Sequence, residues 1–308
     1  MKTMHRYMLL SFLLVLLLAS CSREERVRSV YYWQTTLRFD TAERDFLVRH
    51  GIRKVYCRYF DVVANDAGDP QPNATLAFED NFPRDVEVVP VVYILNDCMC
   101  RPQDDLAEKI FRRIQQMNTT NHFARAREMQ VDCDWTMTTR AVFFNFMKQM
   151  RALCHSHAMQ LSATIRLHQL SQPVPPADRG VLMMYNTGDV TKLSERKPIL
   201  DMKDVMPYLR YLKGYGLPVS TAYPLFTWRV LFRGGKYVGI LHGDDDLPVL
   251  RGDSIAVRQP ELQDIYAAQE AVDRVRRNAN DEMILYDLSD KNIQRFSYGD
   301  FQKIYRYR

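Results

Sequence analysis

Two hydrophobic rhythms alternate along the chain from Val30 to Leu288. Short apolar runs, several with period-two alternation, read as strands, and longer stretches with apolar residues three and four apart read as helices. The pattern predicts strands over Val30–Gln34, Ile52–Val63, Val86–Leu95, Glu128–Thr136, Gln160–Leu167, Gly180–Asn186, Leu217–Tyr223 and Glu282–Leu288. Helices are predicted over Thr41–His50, Asp104–Met117, Thr139–His157, Met202–Tyr215 and Glu261–Asn278, and the tail to Arg308 reads as helical. In the second of these the apolar positions Leu106, Ile110 and Ile114 fall on one face.

Two places break the rhythm. Ala64–Asp85 carries three prolines with Asn and Gly and no helical period. Trp228–Leu241 has two strand-like arms around Gly234-Gly235, a hairpin signal. Eight core strands with helices between most of them predict an α/β chain folded as a (β/α)8 TIM-type barrel. Its second βα unit is irregular, and a β-hairpin is inserted after strand seven. A doubly wound open sheet is the rival, but no Gly-rich fingerprint follows the first strand.

Strand periodicity also sorts the polar residues. Gln130, Asp132, Asp134 and Thr136 share one face of their strand, opposite Val131, Cys133 and Trp135. On the next strand Ser162, Thr164, Arg166 and His168 share a face. Two acids on one strand face are costly unless that face lines a wet or functional cavity. Asp132 and Asp134 can be a catalytic pair, a ligand-binding pair, or part of a buried ion network with Arg166. The strand ends add Arg58, Asp61, His168, Tyr185, Asn186, Tyr223 and Trp228 as candidate ligand contacts. In a barrel of this type the site lies at the carboxyl ends of the strands, and this polar, aromatic rim suits a sugar cleft.

Two segments resemble family 18, chitinase-like glycoside hydrolases. Val131-Asp-Cys-Asp-Trp-Thr136 matches the middle of that family's Asp-x-x-Asp-x-Asp-x-Glu strand, and Met183-Met-Tyr-Asn186 is similar to its Met-x-Tyr-Asp. The resemblance implies hydrolysis in which the Glu protonates the leaving oxygen while an Asp orients the substrate's acetamido group. Here Met129 stands at the first Asp position and Thr136 at that of the acid. Thr cannot supply a proton at neutral pH, so Asp287, Asp61 or an acid among Asp244, Asp245 and Asp246 would have to. Nearly the whole chain from Cys21 onward also resembles a group of Bacteroidetes-type TIM-barrel lipoproteins. The match runs through Tyr56–Asp61, Ser162–Gln169 and Pro224–Trp228, and it implies a fold and an address rather than an activity.

The address follows from the first residues. Lys2 and Arg6 precede the apolar run Met8–Leu18, which is short for a membrane span. Leu18-Ala19-Ser20-Cys21 resembles a lipobox, implying removal of residues 1–20 and lipidation of Cys21. The expected organisation is therefore a signal peptide over 1–20, a tether over 21–29 and one barrel domain over 30–308. The expected location is the cell envelope, by Ser22 the outer membrane.

Removing 1–20 takes Lys2 and Arg6 and no acid, so the net charge falls from +5 to +3. No basic run interleaved with aromatics points to nucleic acid. The remaining cysteines match no zinc spacing, and Asp244–Asp246 lacks a calcium-loop spacing, so neither metal nor other cofactor is expected. The sequence thus predicts a lipid-anchored barrel that binds a glycan, while the hydrolysis that the family resemblance implies is either lost with the acid at Thr136 or needs an acid from elsewhere in the chain. The alternative is a non-catalytic scaffold with an envelope protein as partner, its mouth plugged by the 64–85 segment or the hairpin.

Overall fold

Eight parallel strands close on themselves in the computed structural model, which describes residues 26–123, 125–193, 196–241 and 247–306. They are β1 (Val27–Tyr32), β2 (Lys54–Ala64), β3 (Glu87–Ile94), β4 (Glu128–Asp132), β5 (Gln160–Arg166), β6 (Arg179–Met183), β7 (Val219–Pro224) and β8 (Glu282–Tyr286). Each pairs with its neighbour in this order, β7 with β8 across the hairpin insertion, and β1 pairs with both β8 and β2. The registers Val27↔Glu282 and Ser29↔Lys54 complete the barrel. A (β/α)8 architecture with flanking helices results.

Alternation divides the strand residues between two cores. Tyr31, Tyr56, Val89, Val91, Val181 and Ile284 fill the interior, with the Tyr31 and Tyr56 rings 5.1 Å apart. Their neighbours on the outer faces, such as Val30, Val55, Val131 and Leu285, pack against the helices. At β6 the fit is close: a Cβ on Gly180 would stand 2.9 Å from Ile165 Cγ1 on β5. A larger residue there would therefore displace the neighbouring strand.

The longer helices are α1 (Thr41–Arg49), α2 (Leu106–Thr120), α3 (Arg140–Ser156), α4 (Met202–Leu212), α5 (Leu262–Arg276) and α6 (Tyr298–Arg306), with a single helical turn at Asp290–Ile293. Helix α1 starts at a reciprocal cap: Glu43 N–H donates to Asp40 Oδ1 at 2.7 Å, and Asp40 N–H donates to Glu43 Oε2 at 3.2 Å. In α2 the predicted stripe Leu106, Ile110 and Ile114 is buried.

The irregular second unit holds no helix. Pro70–Asn73 turns back antiparallel onto the end of β2, and Ala77–Phe78 pairs with Thr36–Leu37. Between β5 and β6 a 3-10 turn, Leu167–Ser171, stands where a helix would otherwise be. The predicted hairpin forms from Trp228–Arg233 and Lys236–Leu241, with Gly234 and Gly235 at φ +55° and +75°. A third strand, Ser254–Arg258, extends this sheet on its other side, which the sequence pattern did not predict.

Among the described residues no helix is long and apolar enough to cross a membrane. The expected signal peptide, lipidated Cys21 and the Asp244–Asp246 loop lie outside the described residues. Cys57, Cys98, Cys133 and Cys154 are buried thiols and Cys100 is an exposed one.

Candidate functional site

The carboxyl ends of the strands open into a cleft of about 710 Å³. Its charged centre grows from β4 and β5. Asp132, the last residue of β4, points into the barrel, where Thr164 Oγ1 donates to its Oδ1 at 2.6 Å and Arg166 Nη2 lies 3.2 Å away. One pleat further, Asp134 stands beyond the strand end, half-exposed and paired with Arg166 Nε. Below them Gln130 accepts from Tyr31 Oη at 2.6 Å and donates to Ser162 Oγ at 3.3 Å. The predicted face of alternating polar residues thus holds two hydrogen-bonded sets, Asp132, Asp134, Thr164 and Arg166 at the cleft and Gln130, Ser162 and Tyr31 beneath them.

Burial pushes the Asp132 carboxyl up from the ordinary range, Arg166 pulls it down, and its like-charged neighbour Asp134 raises it again. The net direction is upward. For Arg166, burial acts against the charge, but Asp132 and Asp134 outweigh it and hold the guanidinium protonated. Two carboxyl groups therefore share one cation, which leaves negative character at the cleft floor.

A second pair stands on β2, where Arg58 Nε donates to Asp61 Oδ1 at 2.7 Å and Arg58 Nη2 pairs with Asp61 Oδ2. Arg58 lines the cleft with its guanidinium 5.6 Å from the Trp33 ring centre. Asp61 is buried behind it and does not line the cleft, though its charge helps raise the Asp132 carboxyl.

The opposite wall is aromatic. Tyr185 and Tyr286 stack with centroids 4.9 Å apart, Trp33 lies 5.5 Å from Tyr286, and Phe226 bridges Tyr286 and Trp228. The Tyr185 hydroxyl is buried without a hydrogen-bond partner among the described residues. Asn186 lines the cleft from a left-handed backbone position at φ +55°. Asp287, just past β8, accepts from Asn292 Nδ2 at 2.5 Å, and burial raises its carboxyl to about 6.

Of the predicted positions, Asp132, Asp134, Arg58, Arg166, Tyr185, Asn186 and Trp228 converge on the cleft. Asp61, His168 and Tyr223 do not line it. β5 ends at Arg166, so His168 falls on the 3-10 turn, exposed to solvent. Tyr223 is wholly buried on the outer side of β7, its hydroxyl donating to Asn280 Oδ1 at 2.8 Å. Thr136 is exposed past the end of β4, hydrogen-bonded to Thr138 at 2.8 Å, and does not line the cleft. The strand reading missed Trp33 and Tyr93, which follow the inward-facing Tyr31 and Val91 in period two, and Phe226 and Lys291, which lie beyond strand ends where alternation gives no signal.

No family model matches the sequence, and neither does any curated protein. Solved structures do match in fold. A chitinase from Chromobacterium violaceum is 12% identical, with 92% of this chain and 100% of that chain covered at a TM-score of 0.58. The Bacillus cereus spore cortex-lytic enzyme SleL is 12% identical, covering 91% of this chain and 73% of its own, with a TM-score of 0.57. Catalytic domain 2 of an Ostrinia furnacalis Group II chitinase, as a mutant bound to an N-acetylglucosamine oligomer, is also 12% identical. It covers 86% of this chain and 90% of its own, with a TM-score of 0.51. The chain thus has the fold of chitinase-like barrels.

Proposed function

We propose that this chain is an envelope lipoprotein whose strand-end cleft binds a glycan. The carrying observation is the pairing of an aromatic wall with a polar floor in one open cleft. Sugar rings present apolar faces that pack on aromatic rings and hydroxyl edges that need hydrogen-bond partners. Tyr286 and Trp228 supply the first; Asp134, Arg58 and Asn186 supply the second. The scaffold alternative needs a plugged mouth. Among the described residues none of the 64–85 segment lines the cleft, and the hairpin contributes walls through Trp228, Ile240 and Leu241.

Hydrolysis is the second reading, favoured by one observation. β4 and β8 stand four places apart in the closed order of eight, so Asp134 and Asp287 face each other across the mouth. Thr136 offers no acid, Asp61 is committed to Arg58, and burial lets Asp287 hold its proton up to a pH of about 6. In this reading Asp287 donates that proton to the leaving glycosidic oxygen as the C–O bond breaks. Asp134 accepts a proton from the water whose oxygen forms the new bond.

The test uses the purified chain against plant, host and envelope glycans, following binding and reducing-end release together. Release that disappears in both Asp134→Asn and Asp287→Asn, and that declines above pH about 6 in the unaltered chain, supports the enzyme. Binding without release leaves glycan capture. Neither, from a folded chain, refutes the glycan reading.

A further inference from the structure

The barrel end opposite the cleft carries a charge excess that neither the cleft nor the internal ion pairs use. The segments leading into β2 to β8 span 50–53, 83–86, 121–127, 157–159, 172–178, 213–218 and 277–281. They expose six cations, Arg53, Arg84, Arg125, Arg127, Lys213 and Arg277, against two exposed acids, Asp85 and Asp281. Among the described residues none of the six forms an ion pair. Unpaired like charges gathered on one face repel one another, so the arrangement suits an anionic partner.

Two further observations narrow the partner. A groove of about 700 Å³ on this face is lined by Arg84, Arg125, Arg127 and His122, with Asp85 and Glu87 as its acids. Phe82 and Phe123 form its apolar side, their rings 5.6 Å apart. Arginine pairs with phosphate through parallel N–H donors, and aromatic rings settle at the boundary between headgroups and acyl chains. The second observation is where the chain comes in. Val27 begins β1 at this end, level with Glu282, and only eight residues separate Val27 from the apolar run Met8–Leu18. Those residues span about 30 Å at full extension. Whether the run itself or a lipid on Cys21 enters the bilayer, the face that meets it is this one.

We propose that the amino-terminal face of the barrel docks on an anionic phospholipid surface. A headgroup phosphate sits among Arg84, Arg125 and Arg127, and the cleft opens away from the bilayer. The inference is independent of what the cleft binds. Basic residues near such a surface each strengthen association about fivefold, so three together are worth roughly a hundredfold.

The experiment mixes the full chain with phosphatidylglycerol vesicles and, separately, with phosphatidylcholine vesicles, then maps solvent exposure by hydroxyl-radical footprinting. Segments 83–86 and 121–127 should be protected on phosphatidylglycerol and labelled on phosphatidylcholine, with Trp228 and Asn186 labelled on both. The Arg84→Gln/Arg125→Gln/Arg127→Gln variant, its fold checked by circular dichroism, should lose the protection, as should the unaltered chain at 0.5 M salt, roughly a fourfold shorter screening length than at about 0.03 M. Equal labelling on both lipids, protection of the cleft instead, protection that survives in the variant, or no association with phosphatidylglycerol at low salt would each overturn the proposal.

Discussion

One barrel holds two clusters of acids and cations, one at each end, and they differ in arithmetic. At the amino end Glu128 and Glu282 meet Lys54 and Arg179, two acids against two cations. Lys54 Nζ lies 3.0 Å from Glu128, and Arg179 reaches both acids. Glu282 further accepts from Ser29 at 2.8 Å and from Tyr56 and Ser220 at 3.0 Å. At the carboxyl end Asp132 and Asp134 share Arg166 alone, because Arg58 is committed to Asp61. Acids and cations at the two ends of one barrel thus give a balanced plug and, where β4 and β5 finish, two acids on a single cation. Burial pushes both Glu282 and Asp132 toward protonation, but the pairing of Arg179 and Lys54 brings Glu282 below its usual value while Asp132 stays above it. Structural charge is satisfied in place; the charge left over is what the proposed reading assigns to a ligand.

The largest effect expected from breaking this comparison is at the plug. Glu282→Gln leaves Arg179 and Lys54 short of a carboxylate in a buried setting, a class of change that costs about 3–5 kcal/mol. Urea denaturation should show that loss, while glycan affinity, measured where the variant is still folded, stays unchanged. A stability change below 1 kcal/mol would mean the plug is no strut.

The mirror-image change belongs to the cleft. Asp132→Asn removes a charge that burial already disfavours and keeps an acceptor for Thr164. Stability should hold or rise slightly, while glycan affinity falls about tenfold to a hundredfold as Arg166 loses half its partners. Isothermal titration and denaturation on the same sample read both quantities. A variant that loses stability and keeps its affinity would turn the cleft network into a second plug.

Acid titration separates the ends further. Glu282, depressed in the folded chain, contributes stability that is present above the unfolded carboxyl range near pH 4 and lost as pH falls through its folded value. Asp287 runs the other way. Its carboxyl is raised to about 6, so stability is fullest below about pH 4 and declines as pH rises through 6. Discounted for its position at an open cleft, the decline is about 2 kcal/mol. Asp287→Asn should abolish it, which a pH series of thermal melts would detect as a flatter profile between 4 and 7.

How much of this the sequence carried depends on how far apart the partners lie. The face Gln130, Asp132, Asp134 and the face Ser162, Thr164, Arg166 were legible because each sits on one strand with period two. Gly234-Gly235 announced its hairpin for the same local reason. The plug was not legible: Lys54, Glu128, Arg179 and Glu282 start four different strands, and only closure of the barrel brings them together. His168 was misplaced by one missing fact, that β5 stops at Arg166 and the chain turns. Lys291 lies where no periodicity reaches, so its place in the cleft comes from the fold alone, whereas Trp33 shares the inward face of Tyr31 and was legible by period two.

The smallest predicted effect tests whether the aromatic wall or the acid floor holds the ligand. Trp228 sits at the base of the hairpin, partly exposed, its ring 5.2 Å from Phe226 and its indole facing the cleft. Trp228→Ala removes a stacking surface without unpairing any charge, so glycan affinity should fall about five- to tenfold, with stability altered by less than about 1 kcal/mol. Trp228→Phe keeps a ring and should recover most of the loss. If the alanine variant binds as well as the unaltered chain, the glycan rests on Arg58 and Asp134, and its affinity should then fall steeply with salt. If affinity falls and phenylalanine restores it, stacking fixes the sugar and the acids only orient it, which is how an unbalanced charge can stay in a cleft without serving catalysis.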